Sequence, residues 1–397
     1  IEPDYADAHN NMGLALKEYG KLDEAIDAYK KALSLKFDFA DAIYNMGNTL
    51  RDQGKVEEAI EAYNKALVLK PQFPEAYNNM GNALKDQGKL DDALKAYNKA
   101  LDLKPGYAKA YSNTLELLKM HSPKSAKNNI IFHTDQIVKK ISSKILTSNS
   151  DKKIEFHLSK ALDCINEEEF DFKTQLSQIY KRNSVDLNCR RHKKIFNNKN
   201  IIPEFCFGCF KVQVEVDNFF SLIKLTRLFY DLNFKNDLTR KTMIEMRPDI
   251  SGHYKGLLYC RGLKQARQVK KLLDFDLKNI FDGQVISHIK RGCSEFTLKF
   301  SNYDKITNDR TTAMNYPAEW KPEEDQFDQN SPIKPMENII PSISEFCLSD
   351  FYIIQKWLDY AKGLGDPSCE KFKNQPIVFK DIYDIAVLRR SKFGKVF

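Results

Sequence analysis

The sequence predicts a multidomain chain of two fold classes, an N-terminal α-superhelix of helix pairs and a C-terminal α+β domain, joined by a helical connector. Three observations carry this. A 34-residue unit recurs without a gap over Ala6–Phe39, Ala40–Phe73 and Pro74–Tyr107, and Ala108–Met120 begins a fourth. The regularity decays over residues 121–200. From Cys206 onward, short runs of alternating apolar residues are separated by longer helical stretches.

Within the repeats, Gly13, Gly47 and Gly81 share one phase, as do Gly20, Gly54 and Gly88, then Ala25, Ala59 and Ala93, then Tyr29, Tyr63 and Tyr97. That period and spacing mark the helix–turn–helix unit of the tetratricopeptide type. Such a unit cannot bury its apolar face alone, so units stack into a superhelix with a concave groove that holds another protein. The small residues fit where the two helices of a unit cross, and the Tyr is expected to fill the gap to the next unit. Pro71 and Pro105 stop the second helices of units two and three. Phe37 stands at that place in unit one and is expected to loosen its turn. The opening "IEPDY" matches "LKPQF" and "LKPGY", the ends of units, so further repeats or a targeting segment are expected upstream.

The phrases "NNMGNALKDQGK" and "YNKAL" make residues 1–120 resemble the repeats of the O-linked N-acetylglucosamine transferase type. In that family an Asn in the first helix of each unit lines the groove and grips the main chain of a bound peptide. The resemblance implies this role for Asn11, Asn45, Asn79 and Asn113, which stand at 34-residue intervals. An amide offers both a donor and an acceptor, so it can satisfy a peptide unit whatever the ligand's side chain. Tyr44, Asn48, Arg51, Asn78, Asn82 and Lys85 fall on the same helix faces and complete the candidate groove. The plainer alternative is that these amides meet only water. The Lys/Asn clamp for acidic chaperone tails is not matched, because Asn10, Tyr44 and Asn78 stand where its first Lys would be. Nothing in the second half resembles a glycosyltransferase domain, so transferase activity does not carry over.

The connector, residues 121–200, reads as a helical extension that caps the array, with helices over Asn128–Leu146, Ile154–Asn166 and Phe170–Arg182. Charge is unevenly spread. Residues 1–120 hold 16 Lys/Arg and 19 Asp/Glu, a net of −3, which leaves +11 for the rest of a chain whose total is +8. The basic segment is Lys181–Lys199, with Arg182, Arg190, Arg191, Lys193 and Lys194 against Asp186. Such a run meets nucleic acid or anionic lipid, or is a solvated linker. No stretch approaches the 18 apolar residues of a membrane span. Eight Cys are too sparse for a disulfide scaffold and fit a reducing, cytoplasmic setting.

Residues 201–302 supply the α+β pattern. Phe210–Val216 alternates as a strand, and Asp217 caps a helix running to Leu232. Thr242–Arg247 and Tyr254–Cys260 are strands around the turn "PDISG", Gly262–Leu273 is a helix and Gln284–Arg291 a fourth strand. This is the ferredoxin-like order, in which the first strand lies between the third and the fourth, antiparallel to both. Residues 303–397 read as an extension with a long loop (Thr311–Pro341), one helix (Ser349–Ala361, ending at Gly363) and a frayed basic tail from Leu388.

That topology is expected to gather Cys206, Cys209, Cys260 and Cys293 at one edge of the sheet, where four thiolates suit a tetrahedral zinc ion or an iron–sulfur cluster. A redox pair at 206/209 and plain buried core are the other readings. The hairpin Arg247–Gly256 either holds an anion or is a turn that needs Gly252. We find no Ser/His/Asp grouping, phosphate-cradling Gly loop or paired-carboxylate motif. The reading is therefore a non-catalytic scaffold that binds an extended peptide or protein partner. The alternatives are a metal- or cluster-dependent redox enzyme using the Cys set and an RNA-binding protein. The last is disfavoured because Lys211, Gln213 and Glu215 leave the first strand without the aromatic platform that RNA stacking needs.

Overall fold

The computed structural model describes residues 5–123, 130–148, 150–167, 177–181, 187–232, 238–247, 250–297, 299–303, 305–306, 314–330, 342 and 345–393. These fall into two compact units that divide between Gln136 and Ile137, rather than at residues 200 and 302.

The first unit is a run of paired helices: α1 (Ala6–Glu18) with α2 (Leu22–Leu35), α3 (Ala40–Asp52) with α4 (Val56–Leu69), α5 (Pro74–Asp86) with α6 (Leu90–Leu103), then α7 (Ala108–Leu118). Close crossing within each pair explains the first Gly phase. A Cβ added at Gly13 or Gly81 would stand 2.5 Å from Cε1 of Tyr29 or Tyr97, and one at Gly47 would stand 2.9 Å from Tyr63. The Tyr thus fills the crossing inside its own unit, which corrects the expectation that it bridges to the next. The second Gly phase closes the turn. Gly54 has φ +82, with Lys55 N–H donating to the Leu50 carbonyl and Gly54 N–H to that of Arg51, both at 2.9 Å, a Schellman motif. Phe37 in place of Pro does not change where the second helix stops, since α2 is 14 residues long, as are α4 and α6.

Between the repeats and the sheet lie α8 (Ile130–Thr147), within which the division falls, and α9 (Asp151–Glu167). Of the third connector helix expected over Phe170–Arg182, residues 170–176 and 182 are outside the described residues. Gln178–Lys181 is a strand, β1, and not a helix. Pairing with a partner 60 residues away decides this, and no local pattern reports it.

The second unit centres on a sheet of β1, β2 (Cys209–Val216), β3 (Arg240–Ile244), β4 (Tyr254–Arg261) and β5 (Ser287–Arg291) in the order β1-β3-β4-β2-β5, all neighbours antiparallel. Phe210, Val212, Val214 and Val216 alternate onto one face. There α12 (Phe219–Asp231) presses Leu225 and Phe229 onto Gly256, the residue opposite Val214, where a Cβ would come within 2.7 Å of Leu225. The cap of α12 is Asn218, whose Oδ1 accepts from Ser221 N–H at 2.8 Å, and not Asp217. The longer α13 (Leu263–Ile280) packs on β2, β4 and β5. The opposite face is also closed. Lys211, Gln213 and Lys255 are buried, so β2 is covered on both sides, where alternation implied one wet face. Preceding β2 are α10 (Cys189–Lys199) and the single turn α11 (Glu204–Phe207); α14 (Ser294–Thr297) follows β5.

Two expectations about the C-terminal extension fail. Within the expected loop, Lys321–Asn330 forms α15; residues 311–313 and 331–341 lie outside the described residues. The tail is not frayed at Leu388, because α17 runs from Lys380 to Phe393. The intervening α16 (Leu348–Leu364) ends at Gly365, φ 76, and is buried almost all round. Asp359 is satisfied there, accepting from the Val378 and Phe379 amides at 3.0 and 2.8 Å, whereas Gln355 Oε1 is buried without a hydrogen bond among the described residues. Asp366 accepts from Phe219 N–H at 2.7 Å and Tyr254 Oη at 2.8 Å, tying this region to the sheet unit.

Candidate binding surface on the first helices of the repeats

The first helices α1, α3, α5 and α7 touch in succession. Their shared face carries the Asn ladder, with Asn11 exposed and Asn45, Asn79 and Asn113 half-buried. The amides do not stand free. Asn45 Nδ2 donates to Asn10 Oδ1 at 2.9 Å, Asn79 Nδ2 to Tyr44 Oη at 2.8 Å and Asn113 Nδ2 to Asn78 Oδ1 at 2.8 Å. Each bond spans 35 residues and reaches the residue before the preceding ladder position. Sequence periodicity alone suggested solvent-facing amides; the stacking of units adds the seam.

The rest of the candidate face is similarly tied. Asn79 Nδ2 also donates to Asn48 Oδ1 at 2.8 Å, and Asn79 Oδ1 accepts from Asn78 at 3.1 Å. Asn48 and Asn82 accept the buried hydroxyls of Tyr63 and Tyr97 at 2.8 and 2.9 Å. Burial raises the pKa of both tyrosines above the ordinary phenol value. Arg51 Nε donates to Asp86 Oδ2 at 2.9 Å, echoing Lys17 with Asp52 at 3.1 Å. Further bonds the sequence reading missed link Gln53 to Asp23 and Gln87 to Glu57 at 2.8 Å, and His121 to Asp91 at 2.9 Å. The recurring polar residue 30 positions upstream was the available signal. What remains presented is two amide oxygens: among the described residues, Oδ1 of Asn45 and of Asn113 accepts no hydrogen bond, while that of Asn79 between them accepts from Asn78. A cavity of about 320 Å³ also opens on the repeats, lined by Ile60, Tyr77, Met80, Leu84, Lys95 and Lys99, but no ladder residue lines it.

The cysteine set is only partly assembled. Cys206, Cys209 and Cys293 border one small void, joined by Cys189, which is not among the four that the strand order gathers. Cys260 is opposite Phe210 in the β2–β4 pairing, so it falls on the α12–α13 face, whereas Cys209 and Lys211 share the other. Among the described residues, no group of three or more His, Cys, Asp or Glu is placed to hold a metal ion. The four-Cys site is therefore corrected, because strand alternation separates residues that topology brings to one edge.

Among the described residues, part of the basic segment is paired with carboxylates, while Arg190 and Lys194 are exposed. Arg191 makes a forked contact with Asp328 (2.7 and 2.5 Å) and reaches Glu324 at 2.7 Å, both on α15. Lys193 meets Glu295 at 3.5 Å. In the hairpin, Pro248 and Asp249 lie outside the described residues, and the carbonyls of Arg247, Ile250 and Gly252 accept from Arg389 of α17. An internal guanidinium thus occupies the place considered for an anion. Gly252 has φ +76, and a Cβ there would meet Glu215 at 2.7 Å, so the turn does need Gly. Among the described residues, no helix is long and apolar enough to cross a membrane.

Family models agree with the repeats: "Tetratricopeptide repeat" matches residues 6–39 and 74–107, and "TPR repeat" matches residues 47–87. This segment consists of tetratricopeptide repeats. No curated protein matches the chain. Similar solved structures include that of MamA, 27% identical over 29% of this chain and 68% of that one, at a TM-score of 0.28. They also include the first TPR of Spaghetti (RPAP3) bound to the HSP90 peptide SRMEEVD, 26% identical over 30% of this chain and 93% of that one, at 0.28. The second TPR domain of human RPAP3 with the HSP70 peptide SGPTIEEVD is 24% identical over 28% and 93%, again at 0.28.

Proposed function

From the tetratricopeptide repeats of residues 6–107 we propose that the chain is a protein-interaction scaffold whose first helices take an extended segment of a partner protein. The observation that carries this is the pair of amide oxygens on Asn45 and Asn113. The inter-unit bonds of Asn45 and Asn113 use their NH₂ groups, which fixes each amide and leaves its oxygen as an acceptor. Fixed acceptors suit the backbone N–H groups of an extended peptide and ask nothing of its side chains. Asn10, Tyr44 and Asn78 are engaged by the ladder, so they are not available as a charged clamp, and acidic chaperone tails are not the expected ligand.

We further propose that residues 201–302 form a ferredoxin-like domain with a separate role. Supporting this reading is the placement of β2 between β4 and β5, antiparallel to both, with α12 and α13 as the two helices.

The test uses the full chain. Peptides are selected on it from a random display library and titrated by fluorescence anisotropy. Replacing Asn45 and Asn113 together with Ala is expected to weaken the selected peptides at least about tenfold, two lost hydrogen bonds at about 1 kcal/mol each. Affinity unchanged in a variant that is still folded by circular dichroism would overturn the assignment of the site.

A further inference from the structure

Lys211 stands in the middle of β2 with 7% of its surface exposed, and among the described residues it forms no ion pair. Glu295, the carboxylate near it, is paired with Lys193 at 3.5 Å and Arg247 at 3.1 Å instead. The hydrogen bond that Lys211 Nζ does make is to Cys293 Sγ, at 3.4 Å. A buried ammonium is costly unless a neighbour supplies negative charge, and the Cys293 sulfur is the group in place to do so.

A second thiol shares this ammonium. Cys209 and Lys211 are two residues apart on one strand and so face the same side. Gly292 N–H donates to the Cys209 carbonyl at 2.8 Å, which puts Cys293 next to the residue opposite Cys209. Cys209, Lys211 and Cys293 together line a small void of about 20 Å³, room for a water-sized molecule. Cys209 also lines an outer pocket of about 360 Å³ with Leu187, Glu204, Phe205, Cys260 and Arg261, so a small reagent can reach Cys209 from there.

We propose that Cys293 and Cys209 form a thiol pair that hydrogen peroxide oxidises to a disulfide, with the Lys211 ammonium hydrogen-bonded to the attacking Cys293 sulfur. The Cys293 thiolate attacks one peroxide oxygen and the O–O bond breaks. Sulfur keeps that oxygen as the sulfenic acid, and the other leaves as hydroxide, which becomes water with the proton the thiol gave up. Cys209 then attacks the sulfenic sulfur. The S–S bond forms, the S–O bond breaks, and a second water departs with the Cys209 proton. Two thiols lose two electrons and peroxide gains both; a small dithiol reverses the step. Burial pushes the Cys209 thiol up to about 11, with Lys211 opposing, so it waits as the thiol while Cys293 reacts. Cys206 borders the same void but is 5% exposed, and burial raises its pKa further.

The experiment treats the full reduced chain with hydrogen peroxide, blocks the remaining thiols and maps peptides by mass spectrometry. The expected product is a Cys209–Cys293 linked peptide, lighter by two hydrogens and released by dithiothreitol. Linkage through Cys206 or Cys189 instead, or no linkage, overturns the pair. In Cys209→Ser a sulfenic-acid trap such as dimedone should label Cys293, whereas in Cys293→Ser it should leave Cys209 unlabelled; the reverse pattern overturns the assignment. Lys211→Met should slow the oxidation about tenfold, since the charge-assisted hydrogen bond to the attacking sulfur is lost. Should that variant fail to fold, the wild-type chain answers through alkylation. At one fixed pH its Cys293 should alkylate faster than Cys164. An equal or slower rate would overturn the role of Lys211.

Discussion

Tyr63 donates its buried hydroxyl to Asn48 at 2.8 Å, and one unit later Tyr97 makes the same bond to Asn82 at 2.9 Å. Unit one lacks this bond. Leu14 stands where Asn48 and Asn82 stand, and the Tyr29 hydroxyl is buried without a hydrogen bond. The Thr49 hydroxyl is close enough to offset slightly the rise that burial causes in the Tyr29 pKa, but not in bonding geometry. Leu14→Asn should therefore stabilise the repeats by about 0.5–1.5 kcal/mol in urea unfolding. The gain should vanish in the Tyr29→Phe background; if it persists there, the missing bond is not its source.

The two Gly phases should respond differently to the same change. Gly81→Ala forces a Cβ against Tyr97 and should cost roughly 1–3 kcal/mol, part of which Tyr97→Leu restores. Gly54→Ala meets no atom within 4 Å but sits at φ +82, so it should cost about 1–2 kcal/mol whatever stands at position 63. Denaturant midpoints of the four variants decide between packing and backbone causes.

Asn79 and Asn45 look alike in the sequence yet should differ in stability. Asn79 bonds Tyr44, Asn48 and Asn78, whereas Asn45 Nδ2 bonds Asn10. Thermal unfolding should show Asn79→Ala costing about 2–3 kcal/mol and Asn45→Ala about 1 kcal/mol. Equal costs would mean that the seam between units is not carried by these bonds.

A pH dependence follows from His253, which is buried with Nδ1 3.3 Å from Tyr360 Oη. Burial, then the charges of Arg389 and Lys255, lowers its pKa from 6.5 to about 4, with Asp366 opposing. Between those values the unfolded chain binds a proton that the folded chain refuses. Stability therefore falls as pH is lowered through that window, by at most about 1.4 kcal/mol per pH unit from this group. His253→Gln should flatten the slope of unfolding free energy against pH over that range. A slope identical to that of the parent chain would remove His253 as its source.

How legible was this molecule in its sequence? The repeats were read almost to the residue, because each Gly, Ala and Tyr answers to its own unit and the pattern is stated three times over. The strands β2, β4 and β5 also showed, since apolar alternation is a local signal. β1 did not, because its pairing with β3 has no local counterpart. The second coat on β2 escaped for a related reason: Lys211 and Gln213 look like a wet face until elements distant in sequence close over them. Arg191 gave the same difficulty, as its carboxylates stand more than 130 residues away on α15.

The sequence by itself determined the period, the helix pairing and the positions of the ladder, since these depend on spacing and on the room a side chain needs. Tertiary structure decided what those residues spend their hydrogen bonds on. It turned the Asn amides to the neighbouring unit, put Cys260 on the opposite face from Cys209, and set Lys211 against Cys293. Hydrogen bonds and buried charges depend on distances of a few ångströms between groups remote in the chain, and only the packed fold fixes those distances.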